Sequence, residues 1–428
     1  MKKACLWMLV LLIALAGCSK PGGSTESKGQ ENQNSQATGE IKPEENAELI
    51  FWNNSGKETE WAKMVAEKFT EKYGIPVKTQ QVADIDALKK LEVDGPAGLG
   101  GDVFLAPHDQ VGKLVKSGLI LENMVAENYE TEVMEAALNG ISYLENGEKK
   151  VYGFPATIET YALYYNKDLV EKPAETMDEL IEQSKKIQSG SDGKYGFMLE
   201  PNMLYTNYSF MAGYGAYVFG KEGTDAADIG LNNEGAVKGA KLLQRFHKEL
   251  LPLKSEDLTG DVVTSFFSEG NLAYRINGPW DIKTYADAGV NFGVVPLPKL
   301  DNGQTPKSFA GTKAYFVNAY SDYPKAATLL AQFASSNEMM EKRFEMTGQI
   351  PPYKALLDSD AIKNDEYAQS FLKQAQSAES MPNIPEMQAV WEPMNKALTA
   401  IWNNNQEPES TLNSAIKQIE DTIRTQQK

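Results

Sequence analysis

The stretch Asp102-Val103-Phe104-Leu105-Ala106, followed by Val111, Leu114 and Val115 and closed by Gly118, sets the fold class. A short apolar run reads as a buried strand, and the spacing after it reads as a helix that the glycine stops. The same alternation appears upstream. Leu49-Ile50-Phe51-Trp52 reads as a strand. Glu60 to Tyr73 carries Trp61, Met64, Val65 and Phe69 at helical spacing before Gly74, and Pro76 to Val82 reads as a second strand. Downstream, Thr176-Met177-Asp178-Glu179 and Ser335-Ser336-Asn337-Glu338 have the form of capping boxes. Asn233 to Leu250 and Leu412 to Thr425 read as helices. Ile276, Phe292 to Val295 and Ala314 to Val317 read as strands. Strands alternating with helices define an α/β layered protein. No repeat of fixed period is present.

The N-terminal residues specify an address. Met1-Lys2-Lys3 is a short positive segment, Ala4 to Ala16 is apolar, and Leu15-Ala16-Gly17 presents small residues before Cys18. This is the form of a secretory signal peptide over residues 1–17, not of a spanning helix. No later apolar run approaches the ~20 residues a span needs. Residues 18–46 are rich in Ser, Gly, Lys, Glu, Asn and Gln and carry no aromatic, so a flexible tether is expected. Cys5 and Cys18 are the two cysteines, and Cys5 leaves with the signal, so the mature chain forms no intrachain disulfide. About 380 residues follow the tether, more than one core accommodates, and two domains are expected. The formal charge of −17 becomes −19 once Lys2 and Lys3 leave. Such an acidic surface disfavours nucleic acid and says nothing about a neutral ligand.

The chemistry available is narrow. His108 and His247 are the two histidines, which excludes a His-rich metal site, and no Gly-x-Ser-x-Gly elbow or phosphate-binding Gly-Lys-Ser/Thr loop occurs. No cofactor is called for. A carboxylate pair such as Asp109 and Glu159 keeps a surface glycoside hydrolase as the alternative from another class. Aromatic residues are more informative. Trp280 follows Asn277-Gly278-Pro279, and Trp391 follows the loop Met381-Pro382-Asn383-Ile384-Pro385. Indoles beside such loops are placed to face a cleft, where sugar C–H faces stack on them. Trp61 lies on an apolar helical stripe and is expected in the core.

These same segments, with Tyr165-Asn166-Lys167-Asp168-Leu169, Pro107-His108-Asp109 and Lys116-Ser117-Gly118-Leu119, resemble the maltose/maltodextrin-binding proteins among the extracellular solute-binding proteins of ABC transporters. The resemblance runs from about residue 48 to the C-terminus. Leu-Ala-Gly-Cys resembles the bacterial lipobox and implies lipidation of Cys18. The implied fold is the two-lobed periplasmic-binding-protein arrangement with a hinge and an interlobe ligand cleft. One lobe would comprise residues 47–157 and 315–360, the other 158–309 and 362–428. The implied function is capture of maltodextrins by lobe closure and delivery to ABC permease subunits, without catalysis. The protein would be a monomer, lipid-anchored at the extracytoplasmic face of the bacterial cell membrane. A different oligosaccharide is the alternative ligand on the same fold.

Carried over by position, Trp280 and Trp391 would be stacking platforms, joined by Tyr205. Asp109 and Glu159 would accept hydrogen bonds from sugar hydroxyls, Lys57 would donate one from the first lobe, and Met381 would flank the cleft. The chain departs from the family pattern at Ala106 and Gln110, where an aromatic and a guanidinium are missing, and at Glu392 and Asn395. These departures imply a wider cleft suited to longer or cyclic glucans.

Overall fold

The computed structural model describes residues 41–145, 147–190 and 193–426. The signal-peptide expectation for 1–17 and lipidation at Cys18 lie outside the described residues. The strand expected at Asp102–Ala106 is Val103–Pro107, and Leu49–Asn53 runs parallel to it and to Val77–Gln81. The strand Phe309–Val317 completes this sheet, antiparallel to both Val103–Pro107 and Phe154–Glu159, with the short Glu379–Ser380 at its edge. The second sheet has the order Phe292–Val295, Ala162–Asn166, Leu272–Asn277, Tyr195–Met198.

Each sheet builds its own lobe. Side chains alternate across a strand, so Phe51, Leu105 and Tyr315 enter one core with Trp61, while Trp52, Phe104 and Phe316 enter another on the opposite face. The second sheet is covered by a separate core containing Tyr164, Phe246, Phe267 and Trp402. Trp61 is fully buried, as expected, and its Nε1 donates to the Met339 carbonyl at 3.0 Å.

The chain moves between the sheets from Glu159 to Ala162, and again between Val295 and Phe309. It moves once more between the helix Asn337–Thr347, which packs on the helix Lys57–Tyr73, and the helix Glu366–Ala375, which packs on Phe292–Val295. Local expectations hold at several ends. Gly74 takes a left-handed conformation (φ 70°) and closes the first helix through its N–H to Thr70. The C-terminal helix, Pro408–Gln426, buries a stripe of Leu412, Ala415, Ile416, Ile419 and Ile423. Glu44 lies in the segment expected to be tether, yet its carboxylate accepts from the Lys325 and Ala326 N–H groups at 3.0 Å each. It satisfies free donors at the start of the helix Pro324–Ala334, so the folded body begins there. No described helix is long and apolar enough to cross a membrane.

The loop Met381–Pro385 is seated against the first lobe. The Gly112 N–H donates to the Asn383 carbonyl at 3.0 Å, and Asn383 Nδ2 donates to the carbonyls of Asn139, Gly140 and Ser142 at 3.3, 3.2 and 2.9 Å. This approach requires glycine, because a Cβ on Gly112 would sit 2.4 Å from the Asn383 oxygen. Gly112→Ala is expected to lower unfolding free energy by about 1–3 kcal/mol. An unchanged urea midpoint would contradict this packing.

Candidate functional site

The strand Leu272–Asn277 ends in Gly278-Pro279, which throws Trp280 out of the sheet. Gly278 lies so close to the indole that an added Cβ would be 2.0 Å from it. The following Asp281 fixes the turn, its Oδ2 accepting from Asn277 Nδ2 at 2.6 Å, Tyr285 Oη at 2.8 Å and Arg275 Nη1 at 3.2 Å. Trp280 is left half-buried.

Trp391 opens the helix Trp391–Asn404 and is also half-buried. Its Nε1 donates to Asp109 Oδ2 at 3.0 Å, and Gln388 Nε2 donates to the same oxygen at 3.0 Å. Edge to face with Trp391 lies Phe309, at 6.2 Å between centroids, and Tyr205 stacks on Phe309 at 6.0 Å. The helix carrying Tyr205, Leu204–Gly213, begins with the Leu204 N–H donating to Asn395 Oδ1 at 2.8 Å. Asn395 therefore positions a cleft aromatic through the backbone.

Below these rings lies a charged floor. Lys313, on the strand shared by the first sheet's neighbours, places Nζ 2.8 Å from Asp84 Oδ2 and 3.3 Å from Glu159 Oε2. The same ammonium stands 5.1 Å from the centroid of the Trp280 ring. Thr157 donates to the other Glu159 oxygen at 2.6 Å. Beside this group, Glu58 is bound by Arg343 and accepts from Gln349 and Asn54 at 3.1 Å each.

Burial and pairing set the charge states. Burial pushes Asp109 up to about 6 against the opposing hydrogen bonds from Gln388 and Trp391. It also raises Glu159, where Lys313 and Thr157 pull the other way and lose. For Asp84, burial is outweighed by the closer Lys313 ammonium and its hydrogen bonds, and the group is held below the usual carboxylate range. Burial alone would lower Lys313, but the charges of Asp84 and Glu159 prevail and raise it, so it stays an ammonium. Tyr205 is raised by burial and then by the neighbouring Glu159 charge. His108 is lowered by burial and is neutral. Its Nδ1 accepts from the Thr312 N–H at 3.2 Å, so Nε2 carries the proton donated to the Met381 carbonyl at 2.9 Å.

Of the residues expected at the site, Asp109, Trp391, Tyr205, Glu159 and Trp280 fall into this one linked set. Met381 adjoins it through His108, but its side chain is 6 % exposed and belongs to the second-lobe core. Lys57 is not brought in. Its ammonium pairs with Asp287 of the second lobe at 2.9 Å and with Glu60 at 3.6 Å. Its neighbour Glu58 turns inward instead, one position along the helix. The departures at 106 and 110 also face inward. Ala106 is fully buried, and Gln110 Nε2 donates to the Ile85 carbonyl at 3.0 Å, holding the turn that carries Asp84. Sequence reasoning missed Lys313, Asp84, Gln388 and Phe309. The signal for Lys313 was a lone charge directly before the apolar run Ala314–Val317.

Two α/β lobes joined by several chain crossings, with half-buried indoles and paired carboxylates gathered in one linked set, have the architecture of a ligand-capturing binding protein. The chain belongs to the bacterial extracellular solute-binding protein family, whose model matches residues 64–370. It is 34% identical to a galactooligosaccharide-binding protein of Bacillus subtilis, across 99% of this chain and 98% of that one. It is 31% identical to the maltodextrin-binding protein MdxE of the same organism, across 85% and 88%. Among solved structures, a cyclo/maltodextrin-binding protein complexed with maltotetraose is 41% identical, with a TM-score of 0.73 over 88% of this chain and 97% of that one. MalX from Streptococcus pneumoniae in complex with maltopentaose is 30% identical, with a TM-score of 0.80 over 87% and 100%. These relatives share the two-lobed periplasmic-binding-protein fold.

Asp109 has a consequence for stability. Its folded value lies above the unfolded one, so the native state holds the extra proton and stability falls as pH rises from about 4 to about 6. Asp109→Asn abolishes that loss. Its stability relative to wild type is expected to grow by up to about 2–3 kcal/mol between about pH 4 and pH 7 in urea unfolding. A pH-independent difference would contradict a buried, titrating Asp109.

Proposed function

We propose that this chain captures maltodextrins between its lobes and presents them intact to the permease of an ABC importer. The observation that carries this reading is the linked set Trp280, Tyr205 and Trp391 above Glu159 and Asp109. Indole and phenol rings offer faces to sugar C–H patches, and ionised carboxylates accept hydroxyl protons in charge-assisted bonds. Ligand touching both lobes shifts the population toward closure. The hinge lies where the chain changes sheets, close to the breaks at 157/158, 309/315 and 360/362 that the sequence suggests. The protein works as a monomer held to the outer face of the cell membrane through lipidated Cys18, by the stretch that precedes Glu44. In this reading no bond is broken and the sugar leaves the protein as it came.

A second reading is favoured by the relative that matches nearly the whole chain, which is named for galactooligosaccharides. The two ligands differ in linkage and in the hydroxyls they offer, so competition between maltotetraose and a galactotetraose separates them. Calorimetry of the body from residue 41 is expected to show saturable binding of maltotetraose, tighter than of maltose or galactotetraose, with the sugar recovered at full length. Trp280→Ala and Trp391→Ala should each weaken binding by roughly 1–3 kcal/mol. Shortened products would support a hydrolase, and wild-type affinity in both variants would refute the site.

A further inference from the structure

Lys313 lies within the strand Phe309–Val317, beside a register shift in the pairing with Phe154–Glu159 between Lys313 and Ala314. Its side chain is 12% exposed, so the ammonium is largely removed from water. An ammonium has three N–H donors and no acceptor. Asp84 and Glu159 engage it at 2.8 and 3.3 Å, and the indole face of Trp280 lies 5.1 Å away. With one donor assigned to each neighbouring carboxylate, a third remains for a ligand, and the Trp280 ring is the aromatic face beside it.

We propose that Lys313 is a ligand-binding, specificity-determining residue that pairs with Glu159 to hold adjacent hydroxyls of the sugar ring stacked on Trp280. This rests on the reading of the cleft as an oligosaccharide site and names the contact that reads the hydroxyls. A hydroxyl both donates and accepts, whereas an ammonium only donates and a carboxylate only accepts. A Lys–Glu pair 3.3 Å apart therefore satisfies both roles at a vicinal diol. An apolar ligand of the same shape would leave the ammonium's third donor facing the indole alone. The charges around the pair are Asp84 on its turn and Glu58 on the first helix, with Asp109 beyond Asp84 and Arg343 facing Glu58 and Glu159. Lys313 also offsets Asp84, so a test must separate neutralisation from contact with ligand.

The charge-balanced double variant makes that separation. Lys313→Met keeps the length of the side chain but leaves Asp84 and Glu159 without their shared cation. Adding Asp84→Asn removes one of those charges and restores the local balance. Maltotetraose is titrated by calorimetry into wild type, Lys313→Met and the double variant, with thermal melting of each. We expect Lys313→Met to raise Kd about 10–100-fold, and the double variant to melt closer to wild type while staying at least about tenfold weaker. A double variant that binds within about threefold of wild type would overturn the proposal and leave Lys313 a neutralising residue only. Wild type that fails to bind maltotetraose would instead refute the functional reading, a result separate from either.

Discussion

The cleft depends on one buried cation. Lys313 bridges Asp84 and Glu159 from a strand that pairs with three others of the first sheet, and its ammonium reaches the second lobe at Trp280. Carboxylates removed from water are costly unless paired and hydrogen-bonded. Here, the pairing is asymmetric. The closer partner, Asp84, is held ionised, while Glu159 retains a raised affinity for protons because burial outweighs the longer contact. A group so arranged sets hydrogen-bond acceptors beside a fixed donor, the combination that a ligand rich in hydroxyls calls for.

The walls follow from the same economy of fixed elements. Trp280 is aimed by Asp281 and its three donors, Trp391 by its bond to Asp109, and Tyr205 by the Asn395 carbonyl at the start of its helix. His108 ties the shared strand to the Met381 loop through opposite ring nitrogens. Aromatic faces and acceptors are thus held in place by hydrogen bonds, the preorganisation that the proposed site requires. The energetic counterpart is strain in charge: Asp109, 4 % exposed, carries a proton affinity far above that of a free carboxylate. A group kept at a cost to stability is characteristic of a functional position.

Much of this was legible in the sequence. Apolar runs such as Asp102–Ala106 and Leu49–Trp52 announce strands because burial on both faces leaves no polar alternation, and Gly74 announces a helix end because glycine tolerates positive φ. The loops at Trp280 and Trp391 were visible through their prolines and glycines. What was not legible depends on direction and partnership. Lys57 and Glu58 are adjacent, and a single helical step of about 100° decides which enters the cleft. Gln110 and Asn395 read as missing cleft groups, whereas both turn away to hold backbone that bears Asp84 and Tyr205. Lys313 hides in a strand, and its partners lie 229 and 154 residues earlier in the chain. Local pattern does not encode such meetings; the crossing of the chain between sheets creates them.

The most direct measurement is a crystal structure of the body from residue 41 grown with maltotetraose. The account predicts glucose rings stacked on Trp280 and Trp391, hydroxyls bonded to Glu159 and Asp109, and the two sheets closed on an uncleaved chain. Sugar bound elsewhere on the surface, with both indoles uncovered, would contradict it.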